Sequence, residues 1–280
     1  MRTANGNQER PGPWKLVLAA SILLAGSAAW AQGRLRPPGL DRKAVIEGIV
    51  ADIDAPGVST KARSIAAELV REMFARMDSD VLNELGRRHL RIDIIHPGNL
   101  KVNMVPIPVP GGKPKGVPPL GRAKGRHGGA VSIEISEASL LPTEDLPPLT
   151  EGYPRPVPLS NAVHELAHAA DFACTREEQG YHGKLFDLQH ARKAPFPSKY
   201  ASNYPKEYFA GATEVFFGAA DIVKATEAPQ NTAAGGAGPQ WLSKNAPEMF
   251  EELKRIFGPP KDLSALGARP RGKAVFQRRF

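Results

Sequence analysis

The sequence predicts an α+β fold in which a mixed sheet lies over a helix carrying His164-Glu165-Leu166-Ala167-His168. Three observations carry that prediction. Residues 59–77 set Ile65, Leu69, Met73 and Met77 four apart, the spacing of one face of an amphipathic helix. Residues 130–135, Ala-Val-Ser-Ile-Glu-Ile, alternate apolar and polar side chains as a half-buried strand does, and this strand is expected at the sheet edge. The third observation is the pentapeptide itself, set among alanines, Leu166 and Val163 that favour a helix.

Taken in order, the chain opens on a processing signal. Arg2, Arg10 and Lys15 form a basic region, Leu16 to Ala25 an apolar one, and Ala29-Trp30-Ala31 a small-residue cleavage site. Cleavage before Gln32 predicts an exported protein, secreted or periplasmic, with no stable membrane anchor. The remainder divides into a body of 32–258, helical over about 40–88, and a basic tail of 259–280 that is expected to be disordered.

Within the body, Asp41–Asp54 is amphipathic but of undecided type, and Asp78–Leu85 continues or restarts the 59–77 helix. Arg91–Ile95 is a strand turned by His96-Pro97-Gly98-Asn99. Residues 106–129 read as a long Pro/Gly/Lys loop, and Pro142–Pro158 as a second Pro-rich stretch. Ser160 is the expected N-cap of the helix that carries the pentapeptide. Gly180–Lys193 is a further helix, with His182 and His190 on its surface. Pro205 opens another helix, running to about Lys224. Thr226–Gln240 is low in complexity, and Trp241–Phe257 forms a last helix ended by Gly258-Pro259-Pro260.

Charge narrows the partners. The chain carries +8, of which residues 1–31 supply a net +2. Five of the six charges left lie in the tail, on Arg269, Arg271, Lys273, Arg278 and Arg279. A near-neutral body lacks the basic patch that a nucleic-acid enzyme requires. The single cysteine, Cys174, permits no internal disulfide and reads as a small buried residue.

The pentapeptide carries the chemistry. Two imidazoles four apart on a helix can grip one Zn²⁺, and the adjacent Glu165 can serve as a general base towards water. A catalytic zinc needs a third protein ligand. After His168 the chain has Asp171 and Cys174 where the metzincin pattern wants Gly and His, so that arrangement is excluded. No Glu lies about twenty residues downstream, as the thermolysin arrangement asks. The best candidate is Glu207 in Lys206-Glu207-Tyr208-Phe209-Ala210, seven residues after Tyr200; Glu214, two turns on, is the runner-up. Asp171 could orient His168, or could be a surface charge.

Taken together, His164-Glu165-Leu166-Ala167-His168-Ala169-Ala170-Asp171, Ser198-Lys199-Tyr200, Glu207-Tyr208-Phe209-Ala210 and Asn245-Ala246-Pro247-x-x-Phe250 resemble the catalytic domain of anthrax lethal factor and the Pro-Pro endopeptidases. The resemblance covers roughly residues 125–257. It implies a zincin-like metalloprotease domain with one Zn²⁺ per chain, bound by His164, His168 and Glu207. It further implies Glu165 as the general base and Tyr200 as a phenol facing the reacting carbonyl. An extended protein or peptide substrate, with Pro-containing peptides as first candidates, would lie along the edge strand near 131–135. One position departs: an acidic residue often follows the ligand Glu by one turn, and here it is Gly211. That glycine is expected to bring its helix close to the zinc helix. Two rival readings stay open, a non-catalytic zinc-binding module of the same fold and a protein-interaction module.

Overall fold

Asp41 caps the first helix among the described residues, its carboxylate accepting from the Lys43 N–H at 3.0 Å. The computed structural model describes residues 41–96, 105–107, 115–117, 121–125, 129–141, 159–198, 200–219, 238–263 and 266. All belong to one unit, Leu40–Phe280. The processing signal, the 32–39 leader, the 97–99 turn, Pro142–Pro158, the stretch from 220 to 237 and the tail from Arg269 lie outside the described residues.

Three helices form the first layer. The undecided Asp41–Asp54 segment is α1 (Arg42–Ala51) followed by a short strand, β1 (Ile53–Asp54). Ser59 caps α2 (Thr60–Phe74), and Asp78 caps α3 (Ser79–Arg87) by accepting from Asp80 and Val81. The chain therefore restarts a helix at 79 rather than continuing one. Leu69, Met73, Phe74, Leu82 and Leu85 are fully buried on the inner faces. Burying each such side chain contributes about 1.5–3 kcal/mol.

Beneath this layer, β1, β2 (Arg91–Ile95), β6 (Val131–Ser136) and β5 (Gly121–Gly125) form a four-stranded sheet in the order β1-β2-β6-β5. The first three strands are parallel and β5 is antiparallel. Ile92 pairs with Ile133 and Ile94 with Ile135, which puts the apolar side chains of both strands in register. A separate antiparallel pair joins β3 (Val105–Ile107) to β4 (Lys115–Val117).

Two sequence expectations are corrected here. Residues 106–129 are not all loop, because they contain β4, β5 and most of β3. Strand β6 is not an edge, since it bonds β2 on one side and β5 on the other; the edges of this sheet are β1 and β5. The reason is physical: Gly-Arg-Ala-Lys-Gly has no apolar alternation and becomes a strand only by pairing with β6. A Lys124–Glu134 ion pair crosses that seam. Gly125 is there for space, because a Cβ would stand 2.6 Å from the Phe172 ring.

Among the described residues, five further helices follow: α4 (Ser160–Ala173), α5 (Arg176–Ala191), α6 (Pro205–Phe216), α7 (Pro239–Asn245) and α8 (Pro247–Phe257). The pentapeptide helix α4 packs on β5 and β6 with one face and on α6 with another. Arg88, at the end of α3, is buried and donates to the carbonyls of Gly129 and Phe172, tying α3 to the last turn of α4. Helix α5 starts earlier than the sequence reading had it, at a reciprocal Thr175–Glu178 capping box. The expected 241–257 helix is two helices, broken at Ala246 (φ −146°, ψ 61°) by the proline that follows it. Helix α6 ends at Phe216, short of Lys224, with Gly218 at φ 66°. Gly258, at φ 77°, ends α8 as expected. Among the described residues, no helix is long and apolar enough to cross a membrane.

Candidate metal centre

Helix α4 begins on a strained residue. Leu159 is fully buried at φ 68°, ψ −21°, and its N–H donates to the Ser139 carbonyl at 2.7 Å. A non-glycine residue in that region costs about 1–3 kcal/mol, which the surrounding core must impose. Ser160 is consequently the first helical residue and not the cap expected for it. Its hydroxyl reaches across to α6 and donates to Glu214.

The four-residue spacing places His164 and His168 on one face of α4, with their Nε2 atoms 3.1 Å apart. Helix α6 delivers Glu207 in its first turn, behind Pro205. Its Oε2 lies 3.0 Å from His164 Nε2 and 3.6 Å from His168 Nε2. One donor atom from each of the three falls within 4.8 Å of the others. Among the described residues this is the one such group able to hold a metal. Zinc bonds of 2.0–2.1 Å in a tetrahedron separate neighbouring donors by roughly 3.3 Å. The three observed separations straddle that distance, so the donor set fits zinc.

Charge supports the same fit. Burial lowers the basicity of His164, but hydrogen bonds to Glu207 and Glu214 outweigh it and raise the imidazole to about 10. Burial raises Glu207, yet hydrogen bonds from His164 and His168 prevail and hold its carboxyl at about 2. Carboxylates so placed demand positive charge, which a proton or a divalent cation supplies.

Glu214 has a different place from the one its runner-up rank implied. Its Oε1 sits 2.7 Å from His164 Nδ1, on the opposite side of the ring from the other donors. That contact fixes the ring with Nε2 towards Glu207 and His168. Gly211 also serves another neighbour than expected. A Cβ there would stand 3.3 Å from Ala201 Cβ and 3.6 Å from Pro197 Cβ, so the close approach is to those two residues and not to α4. Removing donors separates these roles. Glu207→Ala is expected to abolish stoichiometric zinc, whereas Glu214→Ala keeps it with affinity reduced about 10–100-fold. Titration against a competing chelator measures both. A metal-free Glu214→Ala beside a loaded Glu207→Ala would move the third ligand two turns along α6.

Glu165, next to His164 on α4, is not part of the donor group. It is 5% exposed, and burial raises its carboxyl above the ordinary range, partly offset by the charges of His164 and His168. The Asn161 amide lies 3.4 Å from its Oε1. Tyr200 sits in the turn before α6, which is held by Ser198 Oγ accepting from the Ala201 N–H and by His190 Nε2 at 3.0 Å from the Ser202 carbonyl. Tyr200 is 57% exposed. Burial, then the charge of Glu207 and more weakly that of Glu165, raise its hydroxyl, so both carboxylates act on it.

One cluster escaped the sequence reading. His182 is buried, not a surface residue, and it lies between two carboxylates. Its Nδ1 is 2.7 Å from Asp171 Oδ1 and its Nε2 is 3.1 Å from Glu252 Oε1. Asp171 is thus neither an orienter of His168 nor a surface charge. The missed signal was the capping box at Thr175, which phases α5 so that His182 shares a buried face with Leu185 and Gln189. His190 is exposed, as expected.

No family model matches the chain, and no curated protein matches it. Among solved structures it is similar to the Pro-Pro endopeptidase PPEP-2 from Paenibacillus alvei. The identity is 16% and the TM-score 0.43, over 75% of this chain and 98% of that one. At that level the likeness carries no argument about the site.

Proposed function

We propose that the chain is a zinc-dependent peptidase, with His164, His168 and Glu207 as ligands, Glu165 as general base and Tyr200 as oxyanion donor. The observation that carries this reading is the donor geometry: three ligand atoms at tetrahedral-edge separations with a buried, non-ligating carboxyl beside them. A zinc ion held there supplies a Lewis acid that acidifies water and polarises a peptide carbonyl. Glu165 takes the proton from the attacking water; burial keeps its carboxyl basic enough for that task. After the carbon–nitrogen bond breaks, the same carboxyl returns the proton to the leaving amine. The Tyr200 O–H donates to the oxyanion as it develops. Glu214 holds the His164 ring in one orientation throughout.

The motif resemblance makes Pro-containing peptides the first substrates to test, and residues 1–31 make the proposed enzyme an exported one. An intact mass beginning at Gln32 checks export. Incubating zinc-loaded protein with a peptide library, with and without chelator, checks the activity: cleavage that the chelator abolishes is expected. Tyr200→Phe sharpens the test, because it keeps the ring and loses one donor. Its kcat is expected to fall roughly a hundredfold with KM little changed and zinc content at wild-type level. Wild-type turnover in that variant would remove Tyr200 from the mechanism.

A further inference from the structure

The ring of Tyr200 meets that of Tyr204 edge-on, their centroids 6.5 Å apart at 70°, and Tyr204 is itself 59% exposed. An edge-to-face pair so open to water is a weak hold, so the place of the Tyr200 phenol is set through its backbone. That backbone opens a four-residue turn, closed by the Asn203 N–H donating to the Tyr200 carbonyl at 3.1 Å. Helix α6 supports the turn where buried Ala201 packs on Gly211, whose lack of a Cβ admits it. Helix α5 supports it through His190, in the last turn of that helix, whose Nε2 lies 3.0 Å from the Ser202 carbonyl. A carbonyl only accepts, so this nitrogen carries the proton and donates, whether the ring is neutral or charged.

A freely rotating exposed side chain gains little by trading water for a carbonyl. The His190 ring is not free. It stands edge-on to Phe186 at 4.6 Å and tilted against Phe196 at 4.6 Å. Phe196 in turn packs edge-on at 5.0 Å against buried Tyr208, the residue after Glu207. The donor is therefore held in place before the bond forms, on an aromatic cluster that reaches the helix of the third metal donor. Gln189 holds the same connection further back, its amide donating to the Pro195 carbonyl at 2.7 Å. The stretch between α5 and α6 is thus tied to α5 before Tyr200 and again after it.

We propose that His190 is a positioning residue: its bond to the Ser202 carbonyl sets the turn that aims the Tyr200 hydroxyl. The inference rests on the peptidase reading above, in which that hydroxyl donates to the oxyanion. A misplacement of about 1 Å at a reacting group costs on the order of 100-fold in rate. Loss of the His190 tether leaves the turn its own hydrogen bond and its seat on Gly211, so a smaller displacement and a loss of roughly tenfold follow.

The test uses full-length, zinc-loaded protein and a peptide that the wild type cleaves, with kcat expressed per bound zinc. His190→Phe keeps a ring against Phe186 and Phe196 and loses the donor. Its kcat is expected to fall roughly tenfold, with KM and zinc content at wild-type level. His190→Gln returns an amide donor to the carbonyl and is expected to stay within about threefold of wild type. The decisive measurement combines His190→Phe with Tyr200→Phe. A residue that acts through the Tyr200 hydroxyl has nothing left to position there, so the double variant is expected to match Tyr200→Phe alone within about twofold. A wild-type kcat in His190→Phe overturns the proposal. So does a tenfold loss repeated in full on the Tyr200→Phe background, which is what general damage to the fold produces, and so does a His190→Gln as slow as His190→Phe. Should His190→Phe not fold, His190→Ala takes its place in the same cycle. Failure of the underlying reading shows separately: a wild type that cleaves no peptide overturns the peptidase, and a Tyr200→Phe at full rate removes Tyr200, and His190 with it.

Discussion

Glu165→Gln is expected to lower peptide hydrolysis by about 10²–10⁴-fold at unchanged zinc content. The substitution keeps the shape of a side chain that is 5% exposed, so packing is preserved. It supplies no donor to the His164, His168 and Glu207 group, so the metal is retained. What disappears is a carboxyl able to take a proton from water and return it to the leaving amine. Metal analysis and turnover on the same preparation separate the two properties. A variant that loses zinc would make Glu165 a ligand, and one that retains turnover would assign the proton to another group.

The second large effect falls outside the metal centre. His182→Ala is expected to destabilise the protein by about 3–5 kcal/mol, because it leaves Asp171 and Glu252 as buried carboxylates without their shared partner. For a folded unit of this size, each kcal/mol lowers Tm by about 2–4 °C, so the loss is on the order of 10 °C. Its pH dependence identifies the cause. Burial lowers His182, but hydrogen bonds to Asp171 and Glu252 raise it to about 9, above the ordinary value of 6.5. A raised imidazole contributes fully below pH 6.5, and the contribution is lost as pH climbs through about 9. Burial raises Glu252, yet Arg255 and His182 bring it down to about 2, so its share is present above pH 4.5 and lost as pH falls through about 2. The network is complete between about pH 4.5 and 6.5. Melting curves of wild type and His182→Ala at pH 5.5 and pH 10 should therefore show a gap that narrows at the higher pH. A constant gap would mean that His182 is not protonated in the fold.

These two sites differ in how far the sequence discloses them. The histidine pair is legible because its geometry is local, four residues on one helix, and Glu207 because Pro205 starts its helix. Strand β6 is legible for the same reason, through its own alternation. Its neighbour β5 is not: it has no apolar pattern, so nothing within it announces that it covers the edge of β6. His182 depends on Glu252, 70 residues away, and no local pattern reveals that a histidine will be enclosed by two acids. The break at Ala246 and the start of α5 are different misses. Asn-Ala-Pro and Thr-x-x-Glu are local signals that were present to be read.

Arg88 bears on how the chain can be divided. Its guanidinium closes two carbonyls that belong to the other half of the fold, one leading into β6 and one in the last turn of α4. The first three helices are therefore tied into the rest of the fold rather than a forward appendage. A boundary drawn at Leu90, after α3, would cut that tie and bare the apolar faces of Phe74, Leu82 and Leu85. A portable unit for grafting or redesign therefore keeps α1, α2 and α3 together with the sheet and α4.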